Sequence, residues 1–313
     1  MTQNILMMGP LPADQMRELE ENYTVFKLWQ ESDPEEALNR IREKITGMVS
    51  VFGVNVSAKL IKALPNLEII AHDSVGFDNI DVAAAKERGV IVTNSGGIVA
   101  DDVADLAIGL VLGVFRRMVE ADIYVRSGQW ARRGDMPLGR TLKGKTIGIV
   151  GLGRIGKAIA KRAEAFGMNV IYFGPNRKQD VLYDYYEDIG KLAADSDVLM
   201  LSCLYSPATH HLVNAKVLRS LGRDGVLINV ARGKVVDEHA LIDALEGGLI
   251  GGAGLDVFEN EPDVPSSFCR LDNVVLQPHQ ASATVETRTA MNQLVVDNLK
   301  LYFERAEVLT PVW

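Results

Sequence analysis

The stretch from Thr141 to Gly156, TLKGKTIGIVGLGRIG, constrains the fold of this chain more than any other feature. A short turn leads into the apolar run Ile147–Val150, and Gly151, Gly153 and Gly156 follow at GxGxxG spacing. Apolar residues then recur at helical spacing. A strand that ends in a glycine turn and opens a helix directs backbone N–H groups and the positive helix end to one point, where a pyrophosphate can sit. The stretch therefore predicts a dinucleotide-binding unit.

Each glycine of this turn meets a different structural requirement. Gly151 permits the tight turn, Gly153 lets the backbone approach the phosphates, and Gly156 lets helix and strand pack closely. A glycine turn without a ligand is the alternative, and the strand–turn–helix order argues against it. We expect the contacts with the dinucleotide to come from Leu152, Gly153, Arg154 and Ile155.

Length, charge and cysteine content narrow the class of protein. The 313 residues suggest about two domains. A net charge of −8 argues against nucleic acid or an anionic membrane as the main partner. Cys203 and Cys269 form no CxxC pair, so neither a disulfide framework nor a metal site is implied. The N-terminus lacks a signal-peptide pattern and the longest apolar stretch, Val103–Phe115, is too short to span a bilayer, so we expect a cytoplasmic protein.

The first part of the chain alternates between strand and helix patterns. Such alternation predicts a parallel sheet with covered faces, and the order of elements favours a flavodoxin-like α/β unit. Asp101–Val119 then reads as one long helix. No helix or strand pattern follows in Gly128–Gly139, which we interpret as an exposed contact arm. The predicted strands of this first unit are Asn4–Met8, Thr24–Leu28, Gly47–Phe52, Leu67–Ala71 and Val90–Thr93.

The glycine turn opens a second unit with six predicted strands, which is typical of a doubly wound Rossmann sheet. A last amphipathic helix, Val285–Phe303, is long enough to return to the first unit. We therefore predict an α/β protein in which a dinucleotide-binding domain, 99–285, is inserted into a substrate domain formed by 1–98 and 286–313. The six strands are Thr146–Val150, Asn169–Phe173, Val198–Ser202, Val226–Asn229, Gly252–Leu255 and Val274–Leu276.

Three motifs follow strands of the second unit, where ligands bind in open α/β sheets. They read NVARG from Asn229, GLDVFENEP from Gly254 and QPHQASAT from Gln277. Together with the glycine turn, and with DSVGFDNID from Asp73, they resemble the D-isomer-specific 2-hydroxyacid dehydrogenases over essentially the whole chain. Within that family the sequence is most similar to the glyoxylate/hydroxypyruvate and hydroxyphenylpyruvate reductases. It shares their SVG turn, the Glu-Thr-Arg run at 286–288 and the Thr-Pro pair at 310–311.

The resemblance implies Arg232 as the substrate arginine. A 2-keto acid carries a carboxylate beside its carbonyl, and a guanidinium matches that group in a bidentate way that a lysine cannot. The alternative is a surface arginine that pairs with a helix end, for which a position between a strand end and Gly233 is poorly suited.

His279 is the candidate acid–base residue. Reduction of a ketone requires a proton on oxygen, and imidazolium delivers one near neutral pH. A carboxylate on the other ring nitrogen would keep that proton available. Spacing alone does not choose between Glu259 and Glu261, whereas the resemblance implies Glu261. The remaining histidines, among which His72 could be a pocket residue, are expected to be structural or solvated: His72, His210, His211 and His239.

Other roles rest mainly on the resemblance. It implies that Asp256 receives the nicotinamide carboxamide, with turn capping as the alternative, and that Val230 contacts the cofactor. It also implies that the backbone N–H groups of Val75 and Gly76 hold the substrate carboxylate across an interdomain cleft. Phe52 fits either a substrate pocket or the core. The resemblance also implies a homodimer in which the arm reaches towards the partner. The arm residues concerned are Trp130, Arg132, Arg133 and Met136.

Cofactor preference can be argued from the residues. An NAD site usually has Asp or Glu about 20 residues past the glycines, where it accepts from the ribose hydroxyls. Here the strand is followed by Gly174, Pro175, Asn176, Arg177 and Lys178, so the acid is missing and two cations are present. These residues predict contacts with a 2′-phosphate and hence NADP(H) preference. The alternative is a basic exposed turn.

The sequence thus predicts NADPH-dependent reduction of glyoxylate or hydroxypyruvate to the D-2-hydroxy acid, with His279 as proton donor. One alternative is an aromatic or sugar-derived 2-keto acid as substrate. Another is a nucleotide-sensing binding protein, like the corepressors that share this fold. Gln280 and the Ser95-Gly96-Gly97 run depart from the family pattern and leave the substrate open.

Overall fold

The computed structural model describes residues 3–313, so Met1 and Thr2 of the expected first domain lie outside the described residues. The chain divides into two compact units. One comprises the described residues up to Val99 together with Ala283–Trp313, and the other comprises Ala100–Ser282. Among residues 3–313, no helix has the length and apolar character needed to cross a membrane.

Both units alternate strands and helices along the chain. The strands are β1 (Asn4–Met7), β2 (Thr24–Lys27), β3 (Gly47–Ser50), β4 (Ile69–His72), β5 (Ile91–Thr93), β6 (Thr146–Val150), β7 (Asn169–Phe173), β8 (Asp184–Tyr186), β9 (Val198–Leu201), β10 (Val226–Asn229), β11 (Gly252–Leu255) and β12 (Val274–Leu276). The helices are α1 (Ala13–Asn22), α2 (Pro34–Ile41), α3 (Ala58–Ala63), α4 (Val82–Glu87), α5 (Ala100–Phe115), α6 (Met118–Arg126), α7 (Gln129–Arg133), α8 (Arg154–Ala165), α9 (Ile189–Ala194), α10 (Ala215–Leu221), α11 (Glu238–Glu246) and α12 (Val285–Arg305).

The first unit has a five-stranded parallel sheet in the order β2-β1-β3-β4-β5. This is the flavodoxin order, as predicted. Every residue of β3 and β4 is buried, because helices cover both faces of a parallel sheet. Helix α12 covers one face by packing Val295, Val296 and Leu299 against Ile5 and Met7.

The second unit has a seven-stranded parallel sheet in the order β12-β11-β10-β9-β6-β7-β8. From β6 the chain builds outward to β7 and β8, then restarts at β9 and builds outward the other way. This doubly wound order is the Rossmann arrangement, as predicted. It places the carboxyl ends of β6 and β9 side by side, at the point where such sheets bind ligands.

Three local predictions in the second unit are wrong. The predicted helix Asp101–Val119 stops at Phe115, because Arg117 adopts a left-handed backbone with φ 53° and the Phe115 carbonyl accepts from the Arg140 amide at 2.7 Å. The segment Gly128–Gly139 contains α7, whose five residues are too few for a helical period to show. A seventh strand, β8, pairs with β7 although its sequence, DYY, is short and polar.

Candidate active site

Parallel strands bring the three predicted motifs of the second unit together. β10, β11 and β12 are neighbours in one sheet and run in the same direction. The residues that follow their carboxyl ends therefore share one edge of the sheet. Arg232 follows β10, Asp256 and Glu261 follow β11, and His279 follows β12.

Glu261 and His279 form a close pair. The distance from His279 Nδ1 to Glu261 Oε2 is 2.7 Å. The other carboxylate oxygen of Glu261 accepts from the Phe258 amide at 2.9 Å. Burial raises the pKa of Glu261, but the hydrogen bonds from His279 and Phe258 outweigh this and leave the pKa below its ordinary value. The carboxylate therefore stays ionised at neutral pH and holds the imidazole ring.

Asp256 fixes the turn that carries His279. The His279 backbone is left-handed, with φ 55°, a conformation that only a tightly held non-glycine residue keeps. Its N–H donates to the Asp256 carbonyl at 2.8 Å. The Asp256 carboxylate accepts from the amides of Gln280 at 2.7 Å and Ala281 at 3.0 Å. These contacts are those of a turn cap, and the contact with a carboxamide remains a prediction.

Arg232 lies against the segment that carries Glu261. The side chain of Asn229 holds the turn by donating to the Arg232 carbonyl at 3.0 Å. A Cβ atom at Gly233 would lie 1.9 Å from the Phe258 carbonyl carbon, so only glycine allows the two segments to pack this closely. The positive charge of Arg232 also lowers the pKa of Glu261. Arg232, Glu261 and His279 therefore belong to one cluster.

Three further side chains, Glu259, His211 and Glu238, brace the segment that carries Glu261, and no local sequence pattern predicts their contacts. Glu259, expected to be an ordinary loop acid, lies 3.1 Å from His211 Nε2 through its Oε1. Its backbone N–H donates to the buried Glu238 carboxylate at 2.7 Å. His211 therefore pairs with an acid on the segment that carries Glu261. These partners are far apart along the chain, so no local pattern could reveal them.

The glycine turn has the shape that a dinucleotide requires. Gly151 has φ 95°, and a Cβ atom there would lie 2.6 Å from Cys203 Cα. A Cβ atom at Gly156 would lie 2.3 Å from the Gly151 carbonyl oxygen. At Gly153, the residue that caps α8, a Cβ atom would meet nothing within 4 Å. The turn is closed towards the protein and open where phosphates would approach, so it fits the predicted cofactor.

The other predicted cofactor residues lie in this turn, in the loop after β7, or, in the case of Val230, directly after β10. Leu152 and Val230 are buried, Ile155 is half-buried and Arg154 is exposed. The loop after β7 contains Gly174, which is half-buried, and the exposed residues Pro175, Asn176, Arg177 and Lys178. The next acid along the chain, Asp180, forms an ion pair with Lys157 of α8. That pair lowers the pKa of Asp180.

In the first unit, Val75 and Gly76 lie in the turn after β4. The Asn94 side chain donates to the Val75 carbonyl at 2.8 Å. His72 is buried, and its Nε2 lies 3.0 Å from the Gly76 carbonyl oxygen. Because the carbonyls of Val75 and Gly76 both contact side chains of the first unit, the conformation of the turn is fixed. His72 is therefore structural, as expected.

Asp73 ties this turn to the segment after β3. Its carboxylate accepts from the Phe52 amide at 2.8 Å. Burial raises the pKa of Asp73 to about 6. The Phe52 side chain exposes half of its surface, so it does not pack in the core, which was one of its two expected roles.

Comparison with known proteins decides the family. A family model described as "D-isomer specific 2-hydroxyacid dehydrogenase, NAD binding domain" matches residues 108–281. The chain belongs to this family. Glyoxylate/hydroxypyruvate reductase A from Arabidopsis thaliana is 47% identical over 308 residues, which cover 98% of each chain. Hydroxyphenylpyruvate reductase from Plectranthus scutellarioides is 46% identical over 308 residues, again 98% of each chain.

A solved structure extends the similarity to three dimensions. NADPH-dependent glyoxylate/hydroxypyruvate reductase from Sinorhizobium meliloti, in complex with NADP and malonate, superposes with a TM-score of 0.91 at 40% sequence identity. The match covers 100% of this chain and 97% of that chain. The chain is thus an enzyme of the D-2-hydroxyacid dehydrogenase and glyoxylate reductase type, and its predicted family is confirmed.

The predicted contact arm of this dehydrogenase and helix α6 carry several exposed apolar side chains. Arg132 and Arg133 are exposed and Met136 is half-buried. A cavity of about 850 Å³ opens beside the arm, between α6 and the segment from Phe268 to Leu276. The exposed apolar side chains, which we call the arm surface, are Met118, Val119, Ile123, Val125, Trp130 and Leu138.

Proposed function

We propose that this dehydrogenase uses NADPH to reduce a small 2-keto acid, glyoxylate or hydroxypyruvate, to the D-2-hydroxy acid. The observation that carries the proposal is the 2.7 Å contact between His279 Nδ1 and the Glu261 carboxylate. Arg232 lies in the same cluster and supplies the group that a 2-keto carboxylate requires. An acid–base pair beside an anion-binding arginine is the set of groups that ketone reduction needs.

Each residue of the cluster has a distinct task. When bound, the nicotinamide ring supplies the hydride that adds to the carbonyl carbon. His279 donates a proton to the carbonyl oxygen from Nε2, the nitrogen that does not face Glu261. Glu261 stabilises the imidazolium form before the transfer. Arg232 binds and orients the substrate carboxylate, and the backbone N–H groups of Val75 and Gly76 are the proposed second binder of that carboxylate.

NADPH preference is supported by the loop after β7. Arg177 and Lys178 are exposed there, and no acid lies between them and β7. The nearest following acid, Asp180, is neutralised by Lys157 and is therefore a poor acceptor for ribose hydroxyls. The similar reductase from Sinorhizobium meliloti is NADPH-dependent and has NADP bound.

A second candidate substrate is an aromatic 2-keto acid. The hydroxyphenylpyruvate reductase from Plectranthus scutellarioides is almost as similar to this chain as the Arabidopsis glyoxylate/hydroxypyruvate reductase. Sequence similarity therefore does not separate small from aromatic substrates, and direct assay must.

We also propose that the protein is a cytoplasmic homodimer. The support for the dimer is the arm surface, because large exposed apolar patches mark protein–protein contacts. A second copy of the chain is the proposed partner.

Oxidation of NADPH and NADH by the purified protein, measured by absorbance over a panel of 2-keto acids, tests the reaction. The panel contains glyoxylate, hydroxypyruvate, hydroxyphenylpyruvate and a sugar-derived 2-keto acid. We expect the highest kcat/KM with NADPH and one of the first two. A clear NADH preference would overturn the cofactor assignment, and absence of turnover with every acid would favour a nucleotide-sensing binding protein. His279→Ala is the control, because it should lose turnover and still bind NADPH.

A further inference from the structure

Two tyrosine hydroxyls hold the two ends of the loop from Gly174 to Lys178. The Tyr172 Oη accepts from the Lys178 amide at 2.7 Å, at the end of the loop. The Tyr185 Oη donates to the Gly174 carbonyl at 3.0 Å, at its beginning. The two rings contact each other, with centroids 5.3 Å apart. Tyr172 lies on β7 and is fully buried, and Tyr185 lies on the neighbouring strand β8.

We propose that Tyr172 and Tyr185 are positioning residues that set the preference for NADPH over NADH. They hold the loop in the conformation that receives a 2′-phosphate. The inference rests on the NADP(H) preference proposed above, and it concerns residues that would not touch the cofactor themselves.

The physical argument is one of preorganisation. A 2′-phosphate carries close to two negative charges, and it is bound best when several donors already converge on it. Asn176, Arg177 and Lys178 lie on an exposed loop, whose ordering upon binding would cost conformational entropy. Tethering both ends of the loop to this ring pair, of which Tyr172 is fully buried, removes part of that cost. NAD lacks the phosphate, so its affinity depends little on the loop.

The chain beyond the loop is held separately. Lys157 of α8 pairs with Asp180, which fixes the segment after Lys178 and neutralises an acid that would repel the phosphate. The tyrosines therefore act on the loop itself and not on the segment that follows it.

Isothermal titration of the full chain with NADP⁺ and NAD⁺ tests the proposal, because it measures binding without turnover. Tyr172→Phe and Tyr185→Phe each remove one hydroxyl and keep the ring. We expect each to lower NADP⁺ affinity roughly threefold to tenfold, as loss of one neutral hydrogen bond does, and to leave NAD⁺ affinity unchanged. Arg177→Ala, which removes a proposed phosphate contact, gives the scale of a full loss.

Tyr186→Phe is the matched control. Tyr186 lies next to Tyr185 on β8, but its hydroxyl donates to the Asp195 carboxylate at 2.8 Å and does not contact the loop. It should change neither affinity.

Three results would overturn the inference. An equal loss of both affinities would show that the hydroxyls only stabilise the fold, and two unchanged affinities would show that they do not position the loop. If the wild-type chain binds NAD⁺ better than NADP⁺, the NADPH proposal itself fails, and the wild-type titration alone reveals this. Should the buried Tyr172→Phe variant fail to fold, Tyr185→Phe, at a partly exposed position, gives the same test.

Discussion

Glu259 and Glu261 stand two residues apart, and each contacts a different histidine. Glu261 holds His279, and Glu259 lies 3.1 Å from His211. The two carboxylates are chemically identical, so their tasks differ only through the partner that the fold brings to each. Only the partner of Glu261 is the proposed proton donor.

Substitution of each acid by its amide separates the two tasks. Glu261→Gln removes the charge that stabilises imidazolium, so kcat for 2-keto acid reduction should fall about 10- to 100-fold while NADPH affinity is kept. Glu259→Gln weakens only the contact with His211, and its kcat should stay within about threefold of wild type. Steady-state kinetics and NADPH titration of both variants provide the measurement.

A reversed order of these effects would move the acid–base partner to Glu259. If both variants kept wild-type kcat, His279 would not need a carboxylate at all, and its proposed role would lose its main support.

The sequence predicts some residues of the candidate site but not the contacts that surround them. Arg232, Glu261 and His279 follow three predicted strands, which places them at one edge of the sheet, but only the family resemblance selects Glu261 over Glu259. The contacts of Glu259 with His211 and Glu238 could not be predicted, because His211 lies in the loop after β9 and Glu238 begins α11, so the three share no local pattern. The contact between Tyr172 and Tyr185 could not be predicted for the same reason, since the two residues meet only through the pairing of β7 with β8.

At the scale of elements, the turn between β6 and α8 depends on glycine in two opposite ways. At Gly156 a side chain would collide with the protein, since its Cβ would lie 2.3 Å from the Gly151 carbonyl oxygen. At Gly153 a side chain would enter open space. One glycine thus serves packing and the other keeps room for the ligand.

Alanine substitutions should separate these two requirements. Gly156→Ala should lower the free energy of unfolding by about 1–3 kcal/mol, as overpacking does. Gly153→Ala should leave stability close to wild type but weaken dinucleotide binding at least about tenfold, because its methyl group points to the space of the phosphates. Denaturant unfolding and NADP⁺ titration measure the two effects.

Gly109→Ala is the control for this pair. Gly109 lies in α5, where a Cβ atom would meet nothing within 4 Å, so neither stability nor binding should fall. Normal NADP⁺ affinity in Gly153→Ala would show that the phosphates do not approach this residue.

Element type was predictable where apolar periodicity is strong, and element ends were not. The strands from β1 to β7 and from β9 to β12 have buried or apolar runs that predict them within one or two residues. The end of α5 was missed, because Met118 and Val119 continue the apolar pattern past the left-handed Arg117. β8 was missed because its stability comes from pairing with β7 and not from its own sequence.

At the scale of the molecule, the arm surface is exposed to solvent in the isolated chain. Trp130 exposes 60% and Leu138 exposes 95% of their surface, and large exposed apolar side chains often mark protein–protein contacts. Burial of such aromatic and aliphatic anchors usually supplies most of the energy of an interface.

Charged substitutions on this surface should therefore break the proposed dimer. Ile123→Asp combined with Trp130→Asp should raise the dissociation constant of the dimer at least about 30-fold, because it buries unpaired charge. Light scattering after size-exclusion chromatography measures the oligomeric state. Leu182→Asp is the control, since Leu182 is fully exposed between β7 and β8, outside the arm surface. A double variant that stays dimeric would place the interface elsewhere.

The division of the chain has a consequence for its synthesis on the ribosome. The second unit, Ala100–Ser282, is complete before α12 has been made. Until α12 emerges, the sheet of the first unit exposes the apolar face that contains Ile5, Met7 and Ile69. The second unit can thus fold during translation while the first waits for the end of the chain. A chain that stops short of α12 leaves part of this apolar face uncovered, and such exposed apolar surface makes an incomplete fold prone to aggregate.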